Sequence, residues 1–517
     1  MPTLNWIGKE AVMNHDKEVP FRLLKKVKSA SVGKDSQNLI IHGDNLEALK
    51  ALMPYYGGKV KCVYIDPPYN TGNESWVYND KVNSPKIKKW LGKVVGRESE
   101  DLCRHDKWLC MMYPRLSLLK QLLRDDGAIF ISIDDAELFS LKHIMDEIFG
   151  IQNFRACITW QRKYSVSNNF KGIATIIDYI LVYSKSENFQ NSLLPRTAES
   201  IERYSNPDND PRGPWKAVDY LNQVSPDKRP NLCYEIVNPN TKQVIRNTKK
   251  AWKYELDAHK KHIQENRLWW GVKGNNTVPA LKLFLSEVRQ GMTPHNWWPH
   301  EDAGHTDEAK KEIDSILGAN LFDTPKPIRL INRILQISTG PDDLILDSFA
   351  GSGTTGHAVL QLNKEDGGKR KFILIEMEDA IAKDITAKRI KTAIDKFNFK
   401  DGFEYCELDK PLFNENGQIE ESCDFNQFAT YIYFTETQTN IDRTKVDTNF
   451  IGELNETEYY LIYKEKGKNI LDKGFLKKLR KTEAKKIVYA DNCTIDEKIL
   501  DEYNVLFKQI PYEVKVY

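Results

Sequence analysis

The chain is short of the features that would take it out of the ordinary soluble proteins. No run approaches the ~20 consecutive apolar residues of a membrane span, which argues against a membrane protein. Met1 to Lys17 carry several charges and no apolar signal core, so secretion is not expected. Cys62, Cys103, Cys110, Cys157, Cys233, Cys406, Cys423 and Cys493 are scattered without a Cys-x-x-Cys pair. That pattern argues against a zinc site or other metal centre and suits reduced thiols in the cytoplasm. The formal net charge is only +2, so any nucleic-acid footprint has to be a local patch. There is no Gly-Lys-Ser/Thr P-loop, no helicase signature, no internal repeat and no low-complexity tract. At 517 residues, 40% of them hydrophobic, the chain allows roughly two to four domains with sizeable cores.

What is there begins with Asp66-Pro67-Pro68-Tyr69. It follows Val60-Lys61-Cys62-Val63-Tyr64-Ile65, a β-branched and aromatic run that reads as a buried strand. Two prolines stop the strand at once, since neither donates to a ladder and each restricts its predecessor. An acid and an aromatic ring are thus held on a stiff turn at a strand's carboxyl end, the edge where open α/β sheets bind ligands. A carboxylate and neighbouring backbone carbonyls can accept both hydrogens of an exocyclic amine while the ring stacks on its heterocycle. A proline-stiffened surface turn is the plain alternative.

The chain around this turn alternates strand and helix. Asn38 to His42 reads as a strand, and Asn45 to Leu52 as a helix capped by Asp44 or Asn45, which sets Asp44 and Asp66 on one rim. The basic opening, with Lys25, Lys26, Lys28 and Lys34, is a solvated face or a DNA contact. Between Asn70 and Asp106, Lys86, Lys88, Lys89, Lys93 and Arg97 alternate with Trp76, Tyr78 and Trp90, as in a nucleic-acid-facing loop or a lid. A helix from Lys107 to Leu123, a turn at Asp126-Gly127, a strand from Ala128 to Ile133 and a helix capped by Asp134 or Asp135 follow.

Four segments are expected: residues 1–185, 186–307, 308–399 and 400–517. The second loses periodicity and carries Trp215, Trp252, Trp269, Trp270, Trp297 and Trp298, as an inserted recognition domain or as ordered loops with tryptophan cores. The last is Lys/Glu-rich, and Tyr431, Tyr433, Tyr459, Tyr460 and Tyr463 are either interface anchors or strand core.

In the third segment Asp343 to Asp347 reads as a strand, followed by Ser348-Phe349-Ala350-Gly351-Ser352-Gly353-Thr354-Thr355-Gly356 and a helix. This is Gly-x-Gly-x-x-Gly between strand and helix, with Glu376 twenty residues past the last glycine at the end of the next strand. Glycines let a ligand approach the backbone, and the acid can bind two ribose hydroxyls. A dinucleotide and any other ribose-bearing cofactor fit equally.

Asp347-x-Phe349-x-Gly351-x-Gly353 together with Asp66-Pro67-Pro68-Tyr69 resembles the S-adenosylmethionine-dependent amino-methyltransferases of DNA. The order, with the irregular segment between the two motifs, resembles their β group. Asp66-Pro67-Pro68-Tyr69-Asn70-Thr71-Gly72, the opening Trp6-Ile7-Gly8-Lys9-Glu10-Ala11-Val12 and the C-terminal module are similar to modification subunits of type III restriction–modification systems. The resemblance covers residues 1–185 and 305–400 well. It implies a circularly permuted Rossmann-like α/β domain, an inserted target-recognition domain at 186–307 and a C-terminal α+β interaction module. It implies catalytic positions at Asp66, Pro67, Pro68 and Tyr69. The cofactor positions it implies are Asp44, Lys326, Pro327, Asp347, Phe349, Ala350, Gly351, Ser352, Gly353, Thr354, Thr355 and Glu376. Of these, Phe349, Gly351 and Gly353 line the methionine portion, Glu376 meets the ribose, Asp44 the adenine, and Lys326-Pro327 lies beside the methionine tail. Double-stranded DNA, a second copy of the chain and a helicase–nuclease subunit are the implied partners. An acid at the first position of the tetrapeptide resembles the adenine-N6 enzymes. Weighed against this are an orphan N4-cytosine or N6-adenine methyltransferase, an NAD(P)-dependent oxidoreductase with the same glycine loop, and a non-catalytic DNA-binding subunit.

Overall fold

The computed structural model describes residues 3–33, 36–71, 92–93, 103–166, 172–246, 249–414, 416–442, 446, 448–464, 469–511 and 514. The basic and aromatic stretch after Asn70 lies, apart from Lys93, outside the described residues, as does Lys34. The chain divides into two compact units, residues 1–192 with 295–517, and residues 193–294.

The larger unit is built on a ten-stranded sheet. Its strands are β1 (Arg22–Lys26), β2 (Leu39–His42), β3 (Val60–Ile65), β4 (Leu123–Ile133), β5 (Phe154–Gln161), β6 (Ile177–Ser184), β7 (Trp297–Trp298), β8 (Leu344–Asp347), β9 (Lys371–Glu376) and β10 (Glu404–Pro411). Their order across the sheet is β1-β10-β2-β9-β8-β3-β4-β6-β5-β7. From β10 to β4 all neighbours run parallel, and β6 and β1 run against them. Parallel strands are covered on both faces, which is why β3 is buried at all six positions and β9 at five of six. Helices α1 (Asn45–Tyr56), α2 (Arg104–Leu122) and α3 (Leu138–Phe149) serve the half after β2, and α4 (Ile328–Ser338) and α5 (Thr354–Asp366) the half around β8.

The two central neighbours, β8 and β3, come from opposite ends of the chain, with Ile345 opposite Cys62 and Leu346 opposite Val63. From β3 the chain winds outward to β4, and from β8 it winds the other way to β9. The crevice beyond their carboxyl ends is therefore a topological switch point, the ligand position of open α/β sheets. This is a Rossmann-like sheet assembled in permuted chain order.

Several boundaries differ from the sequence expectation. Residues 193–294 form the separate unit, not 186–307, because Trp297 and Trp298 pair with Thr159 and Trp160 as the edge strand β7. Residues past 399 also enter the main sheet: β10 lies between β1 and β2, pairing Tyr405 with Ile40 and Leu408 with Leu24. Asp126-Gly127 is not a turn between elements but part of β4, where the register against β3 shifts. Helix α3 starts after Glu137, and Asp134 instead accepts the Ala136 amide at 3.0 Å to stabilise the preceding turn.

After β10 the chain forms a second sheet, of strands Phe450–Leu454, Thr457–Leu461, Lys485–Ala490 and Val505–Gln509 in that order, with helix Phe425–Thr437 in the same apolar core. Tyr431, Tyr433, Tyr459 and Tyr460 are buried in this module. They are strand and helix core and not surface anchors. In the 193–294 unit, a three-stranded antiparallel sheet (Trp215–Asp219, Leu268–Trp269, Ala280–Phe284) is accompanied by a core of Tyr220, Ile236, Ile245, Trp252 and Trp270. Tryptophan there serves mainly as core.

Candidate active site

Asp66 is the first residue past β3, at the switch point. The turn it opens is held from outside: Trp108 of α2 donates its indole Nε1–H to the Pro68 carbonyl at 2.6 Å. Asn70, with φ 60°, turns the chain away and donates Nδ2 to Glu137 Oε1 at 2.5 Å and to the Arg104 carbonyl at 3.3 Å. His105 Nδ1 meets the same buried Glu137 oxygen at 2.5 Å. A left-handed φ is tolerated better by asparagine than by most residues, which accounts for Asn70 directly after the tyrosine. None of Trp108, His105 and Glu137 carries a sequence signal, since each sits on an ordinary-looking helix or turn.

Within the turn, Asp66 Oδ2 forms an ion pair with Lys326, while Oδ1 is buried with no hydrogen-bond partner among the described residues. Tyr69 is buried, its hydroxyl close to the Asp66 carboxylate but without a well-formed hydrogen bond among the described residues. Burial, reinforced by the Asp66 charge, pushes the phenol far above its usual range, so it stays neutral. Lys326 Nζ stands 5.1 Å from the centroid of the Tyr69 ring. The resemblance puts Lys326 beside a methionine tail. Its backbone does sit on the glycine loop, through the Thr354 hydroxyl at 3.1 Å, but its ammonium is turned to Asp66.

The glycine loop leaves β8 at Asp347. The Asp347 carboxylate accepts the Phe349 amide at 3.0 Å and the Thr355 hydroxyl at 2.6 Å, tying the two ends of the loop together. Burial raises this carboxyl from its ordinary 3.8 to about 7, against the lowering effect of those two hydrogen bonds. Gly351 (φ 49°) and Gly353 (φ 76°) occupy the left-handed region, where a side chain is strained. Glu376 Oε2 accepts the Gly351 amide at 3.0 Å and Oε1 the Glu378 amide at 2.9 Å, and the Gly351 carbonyl accepts the Thr386 hydroxyl at 2.6 Å. Ser352 and Thr354 point to Arg389, which donates Nη1 to their hydroxyls at 2.9 and 2.8 Å. Arg389 is fully buried and its guanidinium pKa is lowered to about 10 by that burial. Of the expected loop positions, then, Asp347, Ser352, Thr354 and Thr355 brace the loop. Nothing in the Lys-Arg-Ile context of Arg389 marks it beforehand.

Asp44 caps α1 through the Leu46 and Glu47 amides at 2.9 and 3.2 Å, as its position after β2 suggests. Its other oxygen lies 3.3 Å from Arg115 Nη2. Arg115 also donates to Asn45 at 2.5 Å, and Asn45 donates to the Ser348 carbonyl at 3.1 Å. The ends of β2 and β8 are thereby joined. Glu376 and His42 are register partners, so Asp44 and Glu376 extend from neighbouring strands.

A second acid lies at the same rim. Asp178, near the start of β6, is raised to about 7 by burial, an effect that Arg162 and Lys326 oppose and Asp66 reinforces. Arg162 Nε comes within 2.7 Å of Asp178 Oδ1 but out of line, so neither atom gains a hydrogen bond. In sequence Asp178 is one polar residue ahead of an apolar run and gives no warning of this.

The arrangement sets an acid and a buried aromatic ring beside a glycine loop with an acid at its far side. That geometry suits an amine-bearing heterocycle next to a ribose-bearing cofactor. A family model described as DNA methylase (N6/N4 type) matches residues 60–388. The chain is 37% identical over 367 residues to the Mod subunit of the type III restriction-modification enzyme StyLTI of Salmonella typhimurium, covering 69% of this chain and 55% of that one. It is 33% identical over 445 residues to the EcoPI Mod subunit of Escherichia phage P1, covering 76% and 68%. To the type II methyltransferase M.KpnI of Klebsiella pneumoniae it is 32% identical over 403 residues, covering 72% and 92%. The chain thus spans little more than half of the StyLTI subunit and almost all of M.KpnI.

Proposed function

The chain belongs to the N6/N4 DNA methylase family, and from that premise we propose that it transfers a methyl group from S-adenosylmethionine to adenine N6 in duplex DNA. The observation that carries the reading is the Asp66 to Tyr69 turn, held at the switch point next to the glycine loop. When bound, the cofactor supplies an electrophilic methyl group on a sulfonium. Phe349, Gly351 and Gly353 would line its methionine portion, Glu376 its ribose and Asp44 its adenine. The left-handed glycines and the Glu376 carboxylate on the Gly351 amide fit such a ligand, because they keep side chains off the loop and an acid beside it.

An aromatic exocyclic amine is a poor nucleophile, because its lone pair is delocalised into the ring. Asp66 Oδ1, buried and without a hydrogen-bond partner among the described residues, can accept one amine hydrogen. The Pro68 carbonyl is taken by Trp108, which leaves the Pro67 carbonyl for the other. Held between them, the nitrogen is drawn toward tetrahedral geometry with its lone pair facing the methyl group, and positioning and electrostatics do the rest. Asp66 is also the base at hand for the proton that the methylated nitrogen sheds. Inside a duplex the amine is out of reach, so the nucleotide has to be flipped out, and Tyr69 replaces its lost stacking.

By likeness to the type III relatives, the chain is the modification subunit of such a system, paired with a restriction subunit and acting as a homodimer in the cytoplasm. On this reading the 193–294 unit supplies target recognition and the part past β10 the partner contacts. The dimer rests on the likeness alone, now that the C-terminal tyrosines are known to be core. The near-complete coverage of M.KpnI, a type II methyltransferase by name, supports a second reading, a DNA methyltransferase that is not the subunit of a type III system. Incubating the purified chain with DNA and methyl-labelled cofactor, then digesting to nucleosides, tests the function. Label in N6-methyladenine is expected. Label in N4-methylcytosine, or none in DNA, overturns it.

A further inference from the structure

Lys326 stands where the target amine has to go, and we propose that its ammonium is a placeholder for that amine, displaced when the flipped base enters. The inference rests on the reading of Asp66 and Tyr69 as the amine-binding pair. One cation uses both of their recognition features, the carboxylate through an ion pair with Oδ2 and the aromatic face from 5.1 Å. The Lys326 side chain is only 10% exposed, and its backbone is seated on the glycine loop, so the contact belongs to the folded interior. Yet the lysine satisfies the pair only in part. Among the described residues, Asp66 Oδ1 and the Tyr69 hydroxyl, itself close to the Asp66 carboxylate, remain buried without a well-formed hydrogen bond. A planar heterocycle with two amine hydrogens would use Oδ1 and the ring face together, which a single ammonium on a flexible stem does not.

A displaced ammonium in a buried site needs another acceptor, because an unpaired buried charge is costly. Asp178 offers one. It is 3% exposed, its Oδ1 lies 2.7 Å from Arg162 Nε with no hydrogen bond among the described residues, and the Lys326 charge already acts on it. Passing Lys326 from Asp66 to Asp178, which already faces Arg162, keeps the ammonium beside a carboxylate, and the amine hydrogens take its place on Asp66 as the base enters. The residue thereby guards the pocket against other ligands and restrains base entry until DNA binding supplies the free energy for the exchange.

The test uses a duplex carrying 2-aminopurine at the methylated adenine, titrated without cofactor into the wild type, Lys326→Met and Lys326→Arg. Methionine keeps the length of the stem and removes the charge, so the flipped, brighter population should rise at least about threefold, with a lower KM for DNA. Lys326→Arg should stay at or below the wild-type signal. A Lys326→Met signal equal to or lower than that of the wild type overturns the placeholder. A wild type that leaves the parent duplex unmethylated speaks instead against the methyltransferase reading, so the two failures are distinguishable.

Discussion

Glu376 Oε2 accepts the amide of Gly351 at 3.0 Å, so the acid that ends β9 holds the glycine loop that leaves β8. The loop is further braced by Thr386 on the Gly351 carbonyl and by Arg389 on Ser352 and Thr354. Its shape is therefore set before any ligand arrives, and changes to its backbone should be felt first as lost cofactor affinity.

Gly353→Val is the sharpest such change. Gly353 has φ +76°, and a Cβ there would lie 3.1 Å from the Thr386 methyl and 3.4 Å from the Thr386 carbonyl oxygen. A left-handed β-branched residue costs at least ~1–2 kcal/mol, and the neighbour has to give as well. The affinity for S-adenosylmethionine, read by calorimetry, should fall at least about tenfold. Unchanged affinity would remove the loop from the cofactor site.

The pH dependence of stability should carry the mark of Asp347. Burial raises its carboxyl from 3.8 to about 7. Between about pH 4 and pH 7 the folded chain thus holds a proton that the unfolded chain has released, so the Asp347 contribution falls as pH rises and levels off above that window. Asn at this position does not titrate, and Asp178, raised in the same way, is common to both proteins. From pH 5 to pH 8 the ligand-free wild type should lose on the order of 2 kcal/mol relative to Asp347→Asn, measured by urea unfolding at each pH. Parallel pH curves would show that this carboxyl is ionised throughout.

Replacing residues 193–294 with the matching unit of a relative should change which DNA is methylated. The unit has its own core of Tyr220, Trp252 and Trp270, so it can be exchanged as a block. Mapping of modified bases in host DNA should show a new target, with cofactor affinity kept within about twofold. An unchanged target would place recognition in the larger unit.

Much of this was legible beforehand because it lies in local patterns. The Asp66-Pro67-Pro68-Tyr69 turn, the Asp44 cap and the glycine loop each follow from residue type and spacing over a dozen positions. What was hidden depends on contacts distant in sequence. Lys326 and Asp66 are 260 residues apart, and only the pairing of β8 with β3 brings them together. Arg389 and Asp178 sit on elements whose apolar pattern would be the same without them. The edge strand Trp297-Trp298 is two residues long, too short to show a period, and its tryptophans looked like those of the inserted unit. The C-terminal tyrosines stayed open between interface and core for a related reason, since alternation marks a strand face without saying whether another layer covers it.

On the proposed chemistry, Asp66 acts on the target amine and not on the cofactor. Asp66→Ala tests it in a single preparation, with cofactor affinity from calorimetry and single-turnover methyl transfer to DNA measured side by side. Cofactor affinity should stay within about twofold of the wild type and transfer should fall by at least about a thousandfold if Asp66 is the acceptor that positions the amine. Transfer within about tenfold of the wild type would contradict it.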